Sequence, residues 1–196
     1  MLKGRNTFEI VFLVGFVAGS VVRNAYMARC KGVKLEKQCS NVLDFILVST
    51  AGVGMIVPLL YLFTPWLDFA KYNLPGWSGW VGIVAFAGAI FMLWRSHADL
   101  GRNWSAKLRI TGQHSLVTNG VYRYIRHPMY TSHTLWAIAQ GLLLSNWLAG
   151  WAFLVLSLPL YIVRIPKEER MMLEHFGEEY RQYMSRTGRL VPRVWK

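Results

Sequence analysis

Polar and apolar positions along the chain segregate into long blocks instead of alternating at short period. Three stretches lack Asp, Glu, Lys and Arg altogether: residues 45–67 (23 residues), 72–94 (23) and 128–163 (36). A hydrocarbon core of ~30 Å needs about 20 helical residues, so the first two each predict one membrane span. The third is too long for one, because at ~1.5 Å per residue it would run to roughly 54 Å. It must fold back, and Ser145 and Asn146 are the polar pair near its middle. The pattern predicts a tight helical hairpin with arms 130–144 and 147–163. Near the N-terminus, residues 10–22 are only 13 uncharged residues between Glu9 and Arg23. They become a fifth span if the helix runs from Phe8 to about Met27 with its end charges reaching the interface.

The rival for that first segment is a signal peptide, since Lys3 and Arg5 precede the apolar run and small residues follow it. The distribution of charge argues for the span. With five spans the connections fall on alternate sides. One side receives Arg23, Arg29, Lys31, Lys34 and Lys37, then Arg95, Arg102, Lys107, Arg109, Arg123 and Arg126, then the eight basic residues from Arg164 to Lys196. The other receives Lys3, Arg5 and Lys71. Nineteen basic residues against three is a strong positive-inside asymmetry. It predicts a multi-pass protein of the cell membrane with its N-terminus outside and its C-terminus in the cytoplasm. A cleaved signal would instead keep its positive end inside.

Composition agrees with this reading. The 196 residues are 54% hydrophobic and 16% charged, whereas a soluble domain carries roughly 25% charged residues. Disordered, collagen-like and disulfide-rich classes are excluded on the same ground. The net charge of +12 points in so apolar a chain to the anionic face of a bilayer and not to nucleic acid. Cys30 and Cys39 fall in the first cytoplasmic loop, where thiols stay reduced and are expected to be inert. No metal is expected, because His97, His114, His127, His133 and His175 are scattered without zinc spacing. Gly52 and Gly54 lie mid-span with no strand before them, so they are no dinucleotide turn. Gly15 and Gly19 form a small-xxx-small face suited to helix packing.

Chemistry is therefore sought in the two cytoplasmic stretches, residues 95–127 and 164–196. They flank the hairpin, so its folding brings them together at one membrane face, where a pocket would open to water and to lipid. In the first, Gly112 and the Asn119–Gly120 pair are turn signals around a short strand-like piece, Leu116 to Thr118. Pro128 suits a helix start. That leaves Arg126 and His127 at the mouth of the fourth span, near unpaired helical N–H groups that favour an anion such as a carboxylate. The bland alternatives are a snorkelling anchor for Arg126 and a locally satisfied His127. In the second stretch Leu173, Phe176, Tyr180 and Tyr183 recur at helical spacing, so an amphipathic helix is expected, with Gly177 as a tolerated interruption at a cost of about 1 kcal/mol. Arg164 and Glu168 would share a face at i,i+4 unless Pro166 breaks the geometry. As a charge emerging from an apolar span beside a pocket, Arg164 is a functional candidate.

Three groups of residues carry a resemblance. Leu116, Val117, Thr118, Gly120, Val121 and Tyr122 form the first; Arg126, His127, Pro128 and Tyr130 the second; Arg164, Glu168 and Glu169, followed by Phe176, Gly177, Glu178, Glu179 and Tyr180, the third. In order and spacing they resemble the isoprenylcysteine carboxyl methyltransferase family of integral membrane enzymes, over roughly residues 95–192. The closeness of the match suggests a prokaryotic, five-span member, an archaeal ortholog. The resemblance implies an all-α polytopic membrane fold in which residues 1–94 supply three spans and residues 95–196 the catalytic region. In that region the cytoplasmic loop and the amphipathic C-terminal helix would form the cofactor pocket.

The resemblance further implies an S-adenosylmethionine-dependent carboxyl O-methyltransferase, releasing S-adenosylhomocysteine and acting on a lipophilic, isoprenylcysteine-like acceptor from the bilayer. Lys107, His114, Ser115, Leu116, Val117, Tyr122, His127, Pro128, Met129, Tyr130 and Glu168 would surround the cofactor. Arg164 would face the substrate, with Arg164 and Glu168 as the catalytic pair. Two departures from the family pattern stand out: Ser132 replaces a usual Gly, which would narrow the lipid-side entrance, and Asn146–Trp147 replaces an Asn–Pro turn. The chain ends Arg193, Val194, Trp195, Lys196 with no prenylation box, so it is not expected to be its own lipidated substrate. The alternatives are an NADPH-dependent membrane sterol or steroid reductase, a phospholipid N-methyltransferase, and a membrane scaffold without enzymatic activity.

Overall fold

The computed structural model describes residues 6–29, 37–38, 41–101, 109–110 and 115–193. Its helices follow the uncharged runs. α1 spans Thr7–Arg29, α2 Val42–Phe63, α3 Gly76–Leu100, α4 Pro128–Leu144, α5 Trp147–Phe176 and α6 Glu178–Arg186. Four of them, α1, α2, α3 and α5, are long and apolar enough to cross a membrane. α4, with 17 residues, spans about 25 Å at 1.5 Å per residue, slightly less than a hydrocarbon core. The only regular strands among the described residues, β1 (Lys37–Gln38) and β2 (Arg109–Ile110), pair antiparallel.

The hairpin turns where its polar pair predicts. Ser145 takes the left-handed conformation (φ 45°). The fully buried Asn146 then caps α5, its side-chain oxygen accepting from the Leu148 and Ala149 N–H groups at 3.0 and 2.9 Å. Its amide also donates to the Leu67 carbonyl at 2.6 Å, tying the turn to the α2–α3 connection.

Two packing units result. α1, α3 and α4 pack together through aromatic rings: Phe12 stacks on Phe86 at 5.4 Å, and Phe86 meets the edge of Trp136 at 4.7 Å. Gly15 and Gly19 admit these knobs, since a Cβ there would strike the Phe86 and Trp136 rings. α2 packs chiefly on α5, where a Cβ on Gly54 would lie 2.7 Å from the Phe153 Cα. The outward faces stay apolar and exposed, among them those of Phe45, Val84 and Ile162.

The C-terminal half departs from expectation in three places. α5 runs unbroken through Pro159 and Pro166, so the fifth apolar arm and the first part of the expected amphipathic helix are one 30-residue rod. Gly177 does not sit inside a helix; at φ 53° it ends α5 and starts α6, because only there does the chain bend to lay Tyr180 and Tyr183 inward. Leu116 to Thr118 forms no regular secondary structure.

Candidate active site

A cavity of about 310 Å³ lies where the two packing units meet residues 115–130 and 164–183. Its apolar arm is walled by Val48, Ala51, Gly52 and Met55 of α2 and by Phe153 and Leu160 of α5. Its polar end holds His127, Tyr130, Arg164 and Glu168, with Ser115, Leu116 and Val117 running along one side. Tyr122, Arg126, Pro128, Met129 and Tyr180 are further motif residues that reach it. Lys107 and His114 lie outside the described residues, as do Cys30 and Cys39.

Glu168 is the hub of the polar end. Its Oε1 accepts from the Tyr130 hydroxyl at 2.7 Å and from Arg164 Nε at 2.9 Å. Its Oε2 lies 3.5 Å from His127 Nδ1. Pro166 leaves the i,i+4 pairing of Arg164 with Glu168 intact. The Tyr130 ring packs edge-on against Tyr161 at 5.1 Å, which orients its hydroxyl toward the carboxylate. His127 sits between two carboxylates, its Nε2 3.4 Å from Glu169 Oε1. Burial opposes a charge on that ring, but the hydrogen bonds to Glu168 and Glu169 outweigh it and hold the imidazole pKa above its ordinary value.

Backbone pairing, and not helix packing alone, places His127. The stretch 124–127 runs parallel to 188–189: Arg126 N–H donates to the Gly188 carbonyl at 2.9 Å, His127 N–H to the Arg189 carbonyl at 3.1 Å, and Gly188 N–H to the Tyr124 carbonyl at 3.2 Å. Thr131 Oγ1 adds a bond to the Leu190 carbonyl at 2.6 Å. Arg126 locks this junction. Its Nε donates to Glu169 at 3.1 Å, and its Nη1 donates to the carbonyls of both Met184 and Thr187. Arg189 also grips Glu169. Arg126 is thus neither a snorkelling anchor nor turned toward a ligand with its full set of donors. The anions beside the start of α4 are the chain's own Glu168 and Glu169.

The opposite wall is tied to α3. Gly120 has φ +58°, and a Cβ there would lie 2.1 Å from Asp99 Oδ2, so glycine is required. Asp99 accepts from Val121 N–H at 2.9 Å and pairs with Arg95 at 2.6 Å. The Tyr122 hydroxyl reaches the Ser96 carbonyl at 3.3 Å, and Tyr183 donates to the Tyr122 carbonyl at 2.6 Å. Burial pushes the Tyr183 phenol up to about 12, so it remains a neutral donor at working pH.

Sequence reasoning missed several residues here. Arg23 of α1, His97 of α3 and His133 of α4 line the cavity, and Met171 and Met172 close it from α5. Asp44, buried in a capping box at the start of α2, is gripped by Lys167 of α5. An i,i+4 reading of α5 from Arg164 to Glu168 carries no sign of α1 or α2, which are distant in sequence. Ser132 is fully buried and donates to the Ala89 carbonyl of α3 at 2.8 Å. It does not line the cavity, so it does not narrow the entrance as expected.

Residues 80–174 match the model of the isoprenylcysteine carboxyl methyltransferase family. A rice protein (Oryza sativa subsp. indica) named probable protein-S-isoprenylcysteine O-methyltransferase is 36% identical over 94 residues, which is 47% of this chain and 49% of the relative. Protein-S-isoprenylcysteine O-methyltransferase A of Arabidopsis thaliana is 28% identical over 159 residues, 79% of this chain and 81% of that protein. The chain thus spans about half the length of the rice relative that it matches. A solved structure titled as a eukaryotic intramembrane Ras methyltransferase shares the fold, with a TM-score of 0.56 over 94% of this chain and 63% of that one at 24% identity. These relatives are eukaryotic, which corrects the expectation of a prokaryotic, archaeal ortholog. With its apolar helices the chain is a multi-pass membrane protein. The matched stretch, residues 80–174, which holds all but the last part of the three motifs, is thus similar to the isoprenylcysteine carboxyl methyltransferase family.

Proposed function

We propose that this chain is an S-adenosylmethionine-dependent methyltransferase that esterifies the carboxylate of a lipidic, isoprenylcysteine-like acceptor at the cytoplasmic face of the membrane. The observation that carries this reading is the shape of the cavity: one continuous space joins the Glu168–Arg164–His127 cluster to an arm walled by apolar helix faces. A polar head and a hydrocarbon tail would be accommodated together. The names of the relatives support the same acceptor class. Five spans, an outside N-terminus and a cytoplasmic catalytic region over 95–196 complete the reading. α4 serves as the short arm of the re-entering hairpin, and the charge asymmetry supplies the orientation.

The donor set fits the cofactor. Glu168 Oε2 has acceptor capacity left for an ammonium group, the backbone beside Leu116 and Val117 offers N–H donors for a carboxylate, and Met129 and Tyr130 supply apolar surface. When bound, S-adenosylmethionine supplies an electrophilic methyl carbon on a sulfonium and leaves as S-adenosylhomocysteine. The acceptor carboxylate is already ionised at neutral pH, so the chain's residues need not remove a proton. Their work is alignment and exclusion of water. Arg164, fixed through Nε by Glu168, directs the rest of its guanidinium toward the acceptor oxygen. An amine acceptor would need a base, and both ring nitrogens of His127 face the carboxylates of Glu168 and Glu169.

Calorimetry of the purified full chain with S-adenosylhomocysteine and, separately, NADPH tests the reading, together with transfer of labelled methyl from S-adenosylmethionine to S-farnesylcysteine. Binding of S-adenosylhomocysteine and base-labile label in the acceptor are expected. Binding of NADPH alone would replace the proposal with a reductase, and binding of neither would leave a scaffold.

A further inference from the structure

Arg23 lies near the cytoplasmic end of α1 and lines the same cavity as Arg164 of α5. It is half-buried, and among the described residues no hydrogen bond or ion pair holds its guanidinium. Its charge acts on Arg164, on His97 and on His133. Four basic side chains from α1, α3, α4 and α5 therefore converge on one region of the cavity. The carboxylates nearby are already engaged: Glu168 by Tyr130, Arg164 and His127, and Asp44 by Lys167. A cation in a membrane helix, facing a cavity and lacking a counter-ion, marks a place for an anionic ligand. Two guanidiniums that line one cavity from helices that are not neighbours in sequence can both donate to such an anion.

We infer that Arg23 and Arg164 together form the seat of the acceptor's carboxylate, so that the site distinguishes the free acid from its methyl ester. The inference rests on the carboxyl methyltransferase reading above and adds α1 to a site that the motifs confine to the C-terminal half. It also assigns a cause to product release. Transfer of methyl to the carboxylate oxygen forms a C–O bond and breaks the sulfur–methyl bond, whose electron pair stays on sulfur. The acceptor thereby loses its negative charge, so that Arg23 loses its anionic partner and Arg164 is left with Glu168. The ester is left held by its hydrocarbon tail alone and exchanges back to the bilayer.

Binding of S-farnesylcysteine and of its methyl ester to the full chain in detergent, without added cofactor, tests this. The parent is expected to bind the acid at least tenfold more tightly than the ester. Arg23→Gln should reduce that ratio at least fivefold by weakening the acid alone, leaving ester and S-adenosylhomocysteine affinities within twofold of the parent. Arg23→Lys, which keeps the charge but not the fork, should recover part of the ratio. Unchanged ester and S-adenosylhomocysteine binding certifies that the Gln variant is folded. A parent that discriminates together with an Arg23→Gln variant that discriminates equally overturns the role of Arg23 and leaves the methyltransferase reading standing. A parent that binds neither compound and transfers no methyl overturns that reading and this inference with it.

Discussion

Removing the Arg126 guanidinium should unfasten the junction between the start of α4, the 184–189 stretch and Glu169. Arg126 and Glu169 are 9% and 5% exposed, and the same guanidinium satisfies the carbonyls of Met184 and Thr187. Breaking a buried ion pair by deleting one partner costs about 3–5 kcal/mol. Arg189 and His127 stay on Glu169, so its carboxylate is not left bare and the lower end applies. The two carbonyls lose a donor each, which keeps the cost from falling much below about 3 kcal/mol. For a chain of this size that corresponds to a fall in Tm of roughly 6–12 °C. Melting of purified Arg126→Ala, followed by the fluorescence of the nine tryptophans, measures it. Arg126→Lys should fall between Ala and parent, because it keeps the charge but cannot serve Glu169 and both carbonyls at once. The loss should extend to ligand binding, since the 188–190 stretch that holds the His127 backbone is the part released. An Arg126→Ala protein melting within about 2 °C of the parent would refute the clamp and return Arg126 to an interfacial anchor.

Three further outcomes are expected. Arg164→Lys should keep cofactor affinity yet slow single-turnover methyl transfer by about tenfold or more, since 1.4 kcal/mol of lost alignment is already that factor; a Lys variant as fast as the parent would remove Arg164 from the reacting groups. The raised pKa of His127 means that the folded protein holds this proton more tightly than the unfolded chain. The stability that parent has over His127→Gln should therefore be full below about pH 6.5 and decline as pH rises through the raised value, and a difference constant from acid to alkaline pH would contradict the two-carboxylate cradle. In a background lacking Cys30 and Cys39, single cysteines placed at the exposed positions 69 and 178 should react with an impermeant reagent from outside and only after permeabilisation, respectively; reaction at 178 in intact cells would invert the topology.

Run length and charge are local properties of a chain, and the bilayer imposes one length scale on both, so the extents of α1, α2 and α3 and the turn at Ser145–Asn146 were legible from the sequence within a few residues. The Arg164–Glu168 pair was legible for the same reason, because four residues on one helix are neighbours wherever that helix lies. Motif resemblance brought Tyr122, His127 and Tyr130 to the same cavity without saying how they are held. What joins distant segments had no local signal. Asn146 meeting the Leu67 carbonyl, Lys167 meeting Asp44, and the 188–189 stretch pairing with 124–127 are contacts across 60 to more than 120 residues. Periodicity cannot register them. Arg23 read as one more inside charge, and Arg126 as either an anion-site residue or an anchor, because a basic residue beside an apolar run looks the same whether it faces lipid headgroups or a cavity. Only the arrangement of α1 against α3 and α4, and of α2 against α5, decides which side of the helix is the interior. In a membrane protein both faces of a helix are apolar, so hydrophobic pattern alone does not mark the inward one.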